Sequence, residues 1–345
     1  MRTDVEPRQS ARGGGLPSRI GPLRALLAPF LAGPSAVGGQ AVMEGVMMRN
    51  KDRLAVAVRK ADGGILVETW PWFSLMRRPW LKRPFVRGFP VLVETLVNGV
   101  KALNFSATQA VEGEGDGTAE LKPWHIALTL VAAVGMALGL FVVAPHLFSL
   151  GMKTLGLGGD MEGLSFHLWD GFFKLAMFLG YILAISMVPD IKRVFQYHGA
   201  EHKVIWSYET NDDLDPAAAR GFSRLHPRCG TAFLLFVLSI SILLHAFLVP
   251  LILMIYSPGN AVARHAWIVT MKLLLMVPIS CMAYELVRFA GRHANNAFCK
   301  LLSGPGLMLQ LLTTHEPDDG QLEVAAAALK GALGAVAHDA TTERI

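Results

Sequence analysis

The stretch Tyr197-His198-Gly199-Ala200-Glu201-His202-Lys203 sets two imidazoles and a carboxylate at H-x-x-E-H spacing. On a helix His198 and His202 fall four residues apart on one face, about one turn from each other. Two imidazoles so placed can hold one divalent metal, zinc foremost, while Glu201 can serve as general base toward a water beside the ion. The spacing is that of the inverted zinc-protease motif. Further along, His226-Pro227-Arg228-Cys229-Gly230 offers His226 or Cys229 as a third ligand. Three protein ligands with an open position are the arrangement of catalytic zinc, and four closed ligands are structural. The spacing permits both.

Other polar side chains compete for the third place or could assist chemistry. Glu44 sits in the glycine-rich segment Gly38 to Arg49, where backbone can approach a ligand closely. Glu285 lies near the end of the last apolar run, with Arg288 and Arg292 in reach as ion-pair partners. Glu209 and Glu316 are further carboxylates. Arg228 or Lys203 could stabilise negative charge developing in a transition state.

The elements that must position these groups are set by hydropathy. Hydrophobic residues make up 52% of the chain and charged residues only 17%. Trp124 to Met152 contains no Asp, Glu, Lys or Arg, and Thr231 to Tyr256 carries no charge. Phe166 to Pro189 is broken only by Asp170 and Lys174, four apart and able to pair. Ala266 to Ala290 carries Lys272, Glu285 and Arg288. Each run is long enough to cross roughly 30 Å of hydrocarbon, which takes about 20 helical residues. We therefore expect an α-helical integral membrane protein with spans near 124–147, 166–189, 231–256 and 266–289.

Loop charge sets the orientation. Lys192, Arg193, Lys203, Arg220, Arg224 and Arg228 fall between the second and third spans, against Lys153 and Arg264 in the other two connections. Both termini and the loop 190–230 are thus expected in the cytoplasm, with the protein in the inner (plasma) membrane and the lipid bilayer as its partner. The net charge of +5 calls for no nucleic acid, since basic residues near the inner leaflet account for it. Cys229, Cys281 and Cys299 are too scattered for a disulfide framework.

Along the chain, residues 1–36 read as a disordered leader and 37–117 as a small α+β module. Within it, Arg53 to Arg59, the turn Asp62-Gly63-Gly64 and Ile65 to Thr69 predict a β-hairpin. Arg87 to Ala107 reads as an amphipathic helix and Glu112 to Gly117 as a linker. The helix of the second span is expected to run on through Phe195 and carry the H-x-x-E-H residues. Beyond the membrane domain, 118–290, two helices are expected in 291–335, with Gly304-Pro305-Gly306 as a break and Asp318 or Asp319 as the last N-cap. Residues 336–345 form a tail.

The segments GGQAVMEGVMMR, YHGAEHKVIWSYE, LHPRCGTAFLL and PGLMLQLLTTHEPDDGQLEVAAAAL resemble those of one bacterial group, the YqhQ-like family of unknown function. The resemblance runs from about Gly38 to about Leu329 and marks Glu44, His198, Glu201, His202, His226 and Cys229, with Tyr284 to Arg288 also similar. It implies a multi-span membrane protein, and such proteins are commonly labelled metal-dependent enzymes. The expectation is a zinc-type hydrolase at the cytoplasmic membrane face, acting on a lipid headgroup or a membrane-tethered peptide. A non-catalytic scaffold or regulator with a structural metal is the alternative. Transport is disfavoured, because no single span carries several ionisable residues deep in its middle and no inverted repeat is visible.

Overall fold

The computed structural model describes residues 37–111, 123–211, 213–293 and 296–334. The expected leader, the Glu112 to Gly117 linker and the tail lie outside the described residues.

Strands β1 (Val37–Val42), β2 (Gly45–Asn50), β3 (Arg53–Arg59) and β4 (Ile65–Pro71) form an antiparallel meander in the order β1-β2-β3-β4. The register pairs Gly45 with Val58 and Arg59 with Ile65. The expected hairpin is β3–β4, and β1 and β2 enlarge it to a sheet. Leu54 to Val58 is buried without interruption, which explains the weak alternation in the sequence: both faces of the sheet are covered. On one face Met47, Leu54, Val56 and Val58 meet Trp72 and Ala102, the latter on α1 (Gly88–Val111). On the other, Val46, Met48, Ala55 and Ala57 join the core of α5 (Pro189–Asn211) and α10 (Asp319–Leu333). Sheet, central connection and C-terminal helix are therefore one packed unit.

Four helical stretches are long and apolar enough to cross a membrane: Val131–Thr154, Leu164–Ser186, Gly230–Ile255 and Ala261–Arg292. The first joins α2 (Pro123–Leu138) to α3 (Ala144–Thr154) through a π-helical turn at Gly139–Val143. The others are α4 (Leu164–Ser186), α7 (Gly230–Ile255) and α8 (Ala261–Arg292). Inside the bundle, Asp170 of α4 accepts from Lys272 of α8 at 2.8 Å and from Lys174 at 3.3 Å. The Lys174 ammonium also lies 3.4 Å from His245 Nδ1 on α7. The expected Asp170–Lys174 pair is thus the core of a buried cluster pooled from three helices, a concentration of charge that no single run displays.

The first span lies further along than expected, at Val131–Thr154, the last is longer, at Ala261–Arg292, and two helix breaks differ from expectation. The α4 helix ends at Ser186, and Pro189 begins α5 as a separate element. Proline has no N–H to give and a fixed φ, so it starts helices far better than it continues them. Conversely, α9 (Ala297–Thr313) runs unbroken through Gly304-Pro305-Gly306. Gly306 is there for contact, since a Cβ on it would stand 2.7 Å from the Cβ of Ala232 on α7. The short α6 (Pro216–Ala219) is capped by Asp215. Asp318 caps α10 through a reciprocal box with Gln321.

Candidate metal centre

His198 and His202 lie on α5 with ring centroids 4.5 Å apart, and Cys229 is the N-cap of α7. One ligand atom from each of His198, His202 and Cys229 falls within 4.8 Å of the other two. His198 Nε2 stands 3.2 Å from Cys229 Sγ, close to the edge of about 3.5 Å that tetrahedral zinc sets between a nitrogen and a sulfur ligand.

Each imidazole is oriented by a backbone carbonyl. His198 Nδ1 donates to Thr313 O at 2.8 Å, and His202 Nδ1 donates to Arg224 O at 2.6 Å. With Nδ1–H committed, the lone pair of both rings is on Nε2, the nitrogen left for a ligand. Metal-binding histidines nearly always use their second nitrogen in this way. Two imidazoles and a cysteine sulfur form a donor set suited to zinc.

Glu201 is buried one turn from His198, toward the sheet. Its carboxylate accepts from the Gly39 N–H, and its Oε2 has no partner among the described residues. Burial pushes its pKa up to about 7, with the His198 imidazole and the Gly39 N–H opposing the rise. Gly39 allows this approach, because a Cβ there would stand 2.9 Å from Glu201 Oε1.

His226 is brought close without joining the triad. Its ring lies 5.6 Å from that of His202, its Nδ1 accepts from the Arg228 N–H, and its Nε2 is 3.8 Å from Glu209. Burial lowers its pKa against the pull of Glu209. The other candidates are occupied elsewhere. Glu44, at φ 49° in the β1–β2 turn, takes Arg193 and the Tyr197 hydroxyl of α5. Glu285 forms a buried two-pronged pair with Arg87, at 2.7 and 2.6 Å, and also acts on the nearby Arg288 and Arg292 cations. Arg228 pairs with Glu209, and Lys203 pairs with Glu316.

Sequence reasoning missed the residues that hold the triad's frame. Gln310 of α9 clamps the loop: it accepts from the His226 N–H at 2.8 Å and donates to His226 O at 2.9 Å. Arg224 reaches the Thr314 carbonyl and hydroxyl. The one available signal was a lone amide, fully buried, between leucines in an apolar helix. Such a group needs partners.

Fold and site together define a helical protein with four span-length helices, capped at one end by an α+β unit that holds a His/His/Cys cluster. The family described as a protein of unknown function (DUF1385) matches residues 83–335, so the chain belongs to that family. The uncharacterized protein YqhQ of Bacillus subtilis (strain 168) is 35% identical over 310 residues, covering 85% of this chain and 90% of the relative. No solved structure matches.

Proposed function

We propose that the protein is a metal-dependent membrane hydrolase working at the cytoplasmic face of the plasma membrane. The observation that carries this reading is the convergence of His198, His202 and Cys229, with both imidazoles held ready by backbone carbonyls. Three protein ligands leave a fourth position for chemistry. A divalent ion held there would supply Lewis acidity and lower the pKa of a water toward about 7. Glu201 would be the group to take up that proton, through the carboxylate oxygen that has no partner among the described residues. Arg228 and Lys203 hold glutamates, so charge stabilisation is left to the ion. The bias of basic residues toward the α4–α7 connection supports placing it, and both termini, in the cytoplasm. At that depth the fitting substrates are lipid headgroups and membrane-tethered peptides.

A second reading has its own support: the triad links α5 to the start of α7, and His198 ties both to α9. A closed structural metal would do the same. Elemental analysis of the purified protein tests the site. We expect stoichiometric metal, lost in His198→Ala, His202→Ala and Cys229→Ser. Metal retained in these variants, or absent from the unaltered protein, removes the site. Glu201→Gln then separates the two readings. A catalytic triad keeps its metal in that variant but no longer releases soluble headgroup or peptide from membranes. A structural one releases nothing in either form.

A further inference from the structure

The connection from β4 to α1 takes no part in the triad, yet it is dense in aromatic and basic side chains. Where it folds against α1, a trough of about 860 Å³ opens, within the roughly 300–1,000 Å³ of ligand-sized clefts. Leu75, Leu81, Phe89 and Val93 line it, together with Arg77 and Arg78. Phe73, Leu75, Trp80, Phe85 and Phe89 are each between 39% and 51% exposed. Arg77, Arg78, Lys82 and Arg83 are exposed as well. Among the described residues, none of these four cations pairs with a carboxylate.

The depth of this segment follows from its contact with α8. A Cβ on Gly88 would stand 2.5 Å from the Cα of Cys281, so the two backbones touch. Cys281 comes about 20 residues after the start of α8, a rise of about 30 Å, which is the thickness of the hydrocarbon layer. The connection therefore lies at the membrane boundary on the side that carries the triad. Phe85, at φ 62°, turns its N–H toward Glu285, and the residue is 47% exposed. Exposed aromatic rings and unpaired cations at this depth lie among headgroups.

We propose that the trough binds one anionic phospholipid of that leaflet, with the phosphate on Arg77 and Arg78 and an acyl chain along the apolar lining. Charge selects this occupant. Two arginines without a carboxylate beside an apolar cleft are complemented by a lipid with net negative charge, and less well by a zwitterionic one. The proposal stands apart from the triad and survives even if that site holds no metal.

Native mass spectrometry of the detergent-purified full chain tests it, with phosphatidylglycerol and phosphatidylcholine offered in equal amounts. Phosphatidylglycerol should be retained preferentially, and Arg77→Gln/Arg78→Gln should weaken its retention roughly tenfold or more. Lys82→Gln/Arg83→Gln, outside the lining, should weaken it only about threefold or less. Equal retention of the two lipids overturns the proposal. Equal loss in both double variants also overturns it, because the attraction would then be diffuse. So does full retention in Arg77→Gln/Arg78→Gln, the result expected if residues 1–36 or a second copy filled the trough. All four side chains are exposed and, among the described residues, without a carboxylate partner, so an unchanged unfolding temperature in both variants shows that folding is not what changed.

Discussion

His198 and His202 share a face because of their spacing, but they can share a ligand only because Thr313 and Arg224 present carbonyls to them. Gln310 holds the His226 backbone, which lies between Arg224 and Cys229 in the chain. Gln310→Leu would keep the volume of the side chain and leave the buried His226 N–H without its partner, while His226 O keeps only the Cys229 N–H at 3.3 Å. Such an orphan costs about 1–3 kcal/mol. We expect a clear fall in unfolding temperature and metal affinity about 10–100-fold weaker, the range seen when outer-shell support is lost. Competition with a chelator measures this, and unchanged affinity would show that the clamp does not serve the triad. His315 titrates in a different way. Burial lowers its pKa, and the nearby Arg224 and Lys192 cations lower it further. Below about pH 6.5 the unfolded chain gains a proton that folded His315 resists, so stability is present above that pH and lost as pH falls. Unfolding temperature should drop between about pH 7.5 and about pH 5.5, and by less in His315→Gln. An identical drop in that variant would assign the effect to other groups. At this scale the sequence pointed to the residues of the His198/His202/Cys229 cluster, because residue type and helical spacing are local. It did not show their acceptors, because a backbone carbonyl has no residue type to read.

The α5 helix positions the triad by being held on two sides, against β1 and the sheet core and against the linker from α9 to α10. The second contact passes through Gly199. A Cβ there would stand 2.1 Å from the His315 carbonyl oxygen, and backbone cannot yield as a side chain can. Gly199→Ala sets two effects against each other. Alanine is the better helix former by about 1 kcal/mol. The clash forces helix and linker apart, at about 1–3 kcal/mol or more. Since the contact is with main chain on both sides, the clash should win. We expect a lower unfolding temperature together with weaker metal binding, because moving the linker moves the Thr313 acceptor. A variant as stable as the parent, with metal intact, would show that the linker is free to shift. Element boundaries were legible where a local rule applied without competition, as at Asp318 with its capping box. Pro189 and Pro305 divided the outcome. The first had a free helix start to occupy, whereas the second lies in α9, a helix packed on α7. Packing overrode the local penalty there. Glu285 shows the limit of local reading: besides the arginines near it on α8, it takes a two-pronged partner in Arg87, 198 positions away, which no local pattern announces.

At the scale of the whole molecule, the two ends of the described chain meet. The sheet of residues 37–71 shares one core with Leu322, Ala325 and Leu329 of α10 and with Tyr197, Ala200 and Val204 of α5. Sequence hydropathy separates these into three modules, because nothing in a local pattern says which buried faces belong together. Their contact fixes the parity of the fold. Segments packed in one core lie on one side of any membrane, so the chain crosses an even number of times from the sheet to α5, and again from α5 to α10. The four span-length helices fall two in each interval, so if each crosses, the count is even in both. Parity does not say which side is the cytoplasm; that rests on Lys192, Arg193, Lys203, Arg220, Arg224 and Arg228 against the sparse charge of the opposite connections. A reporter fused after Gly259, between α7 and α8, should therefore be active only in its extracytoplasmic form. One fused after Asn211, at the end of α5, should be active only in its cytoplasmic form. Reversal of both signals would keep the fold and invert the orientation, placing the triad outside the cell. Matching signals at the two positions would show that α7 does not cross, and would overturn the two-crossing path from α5 to α10.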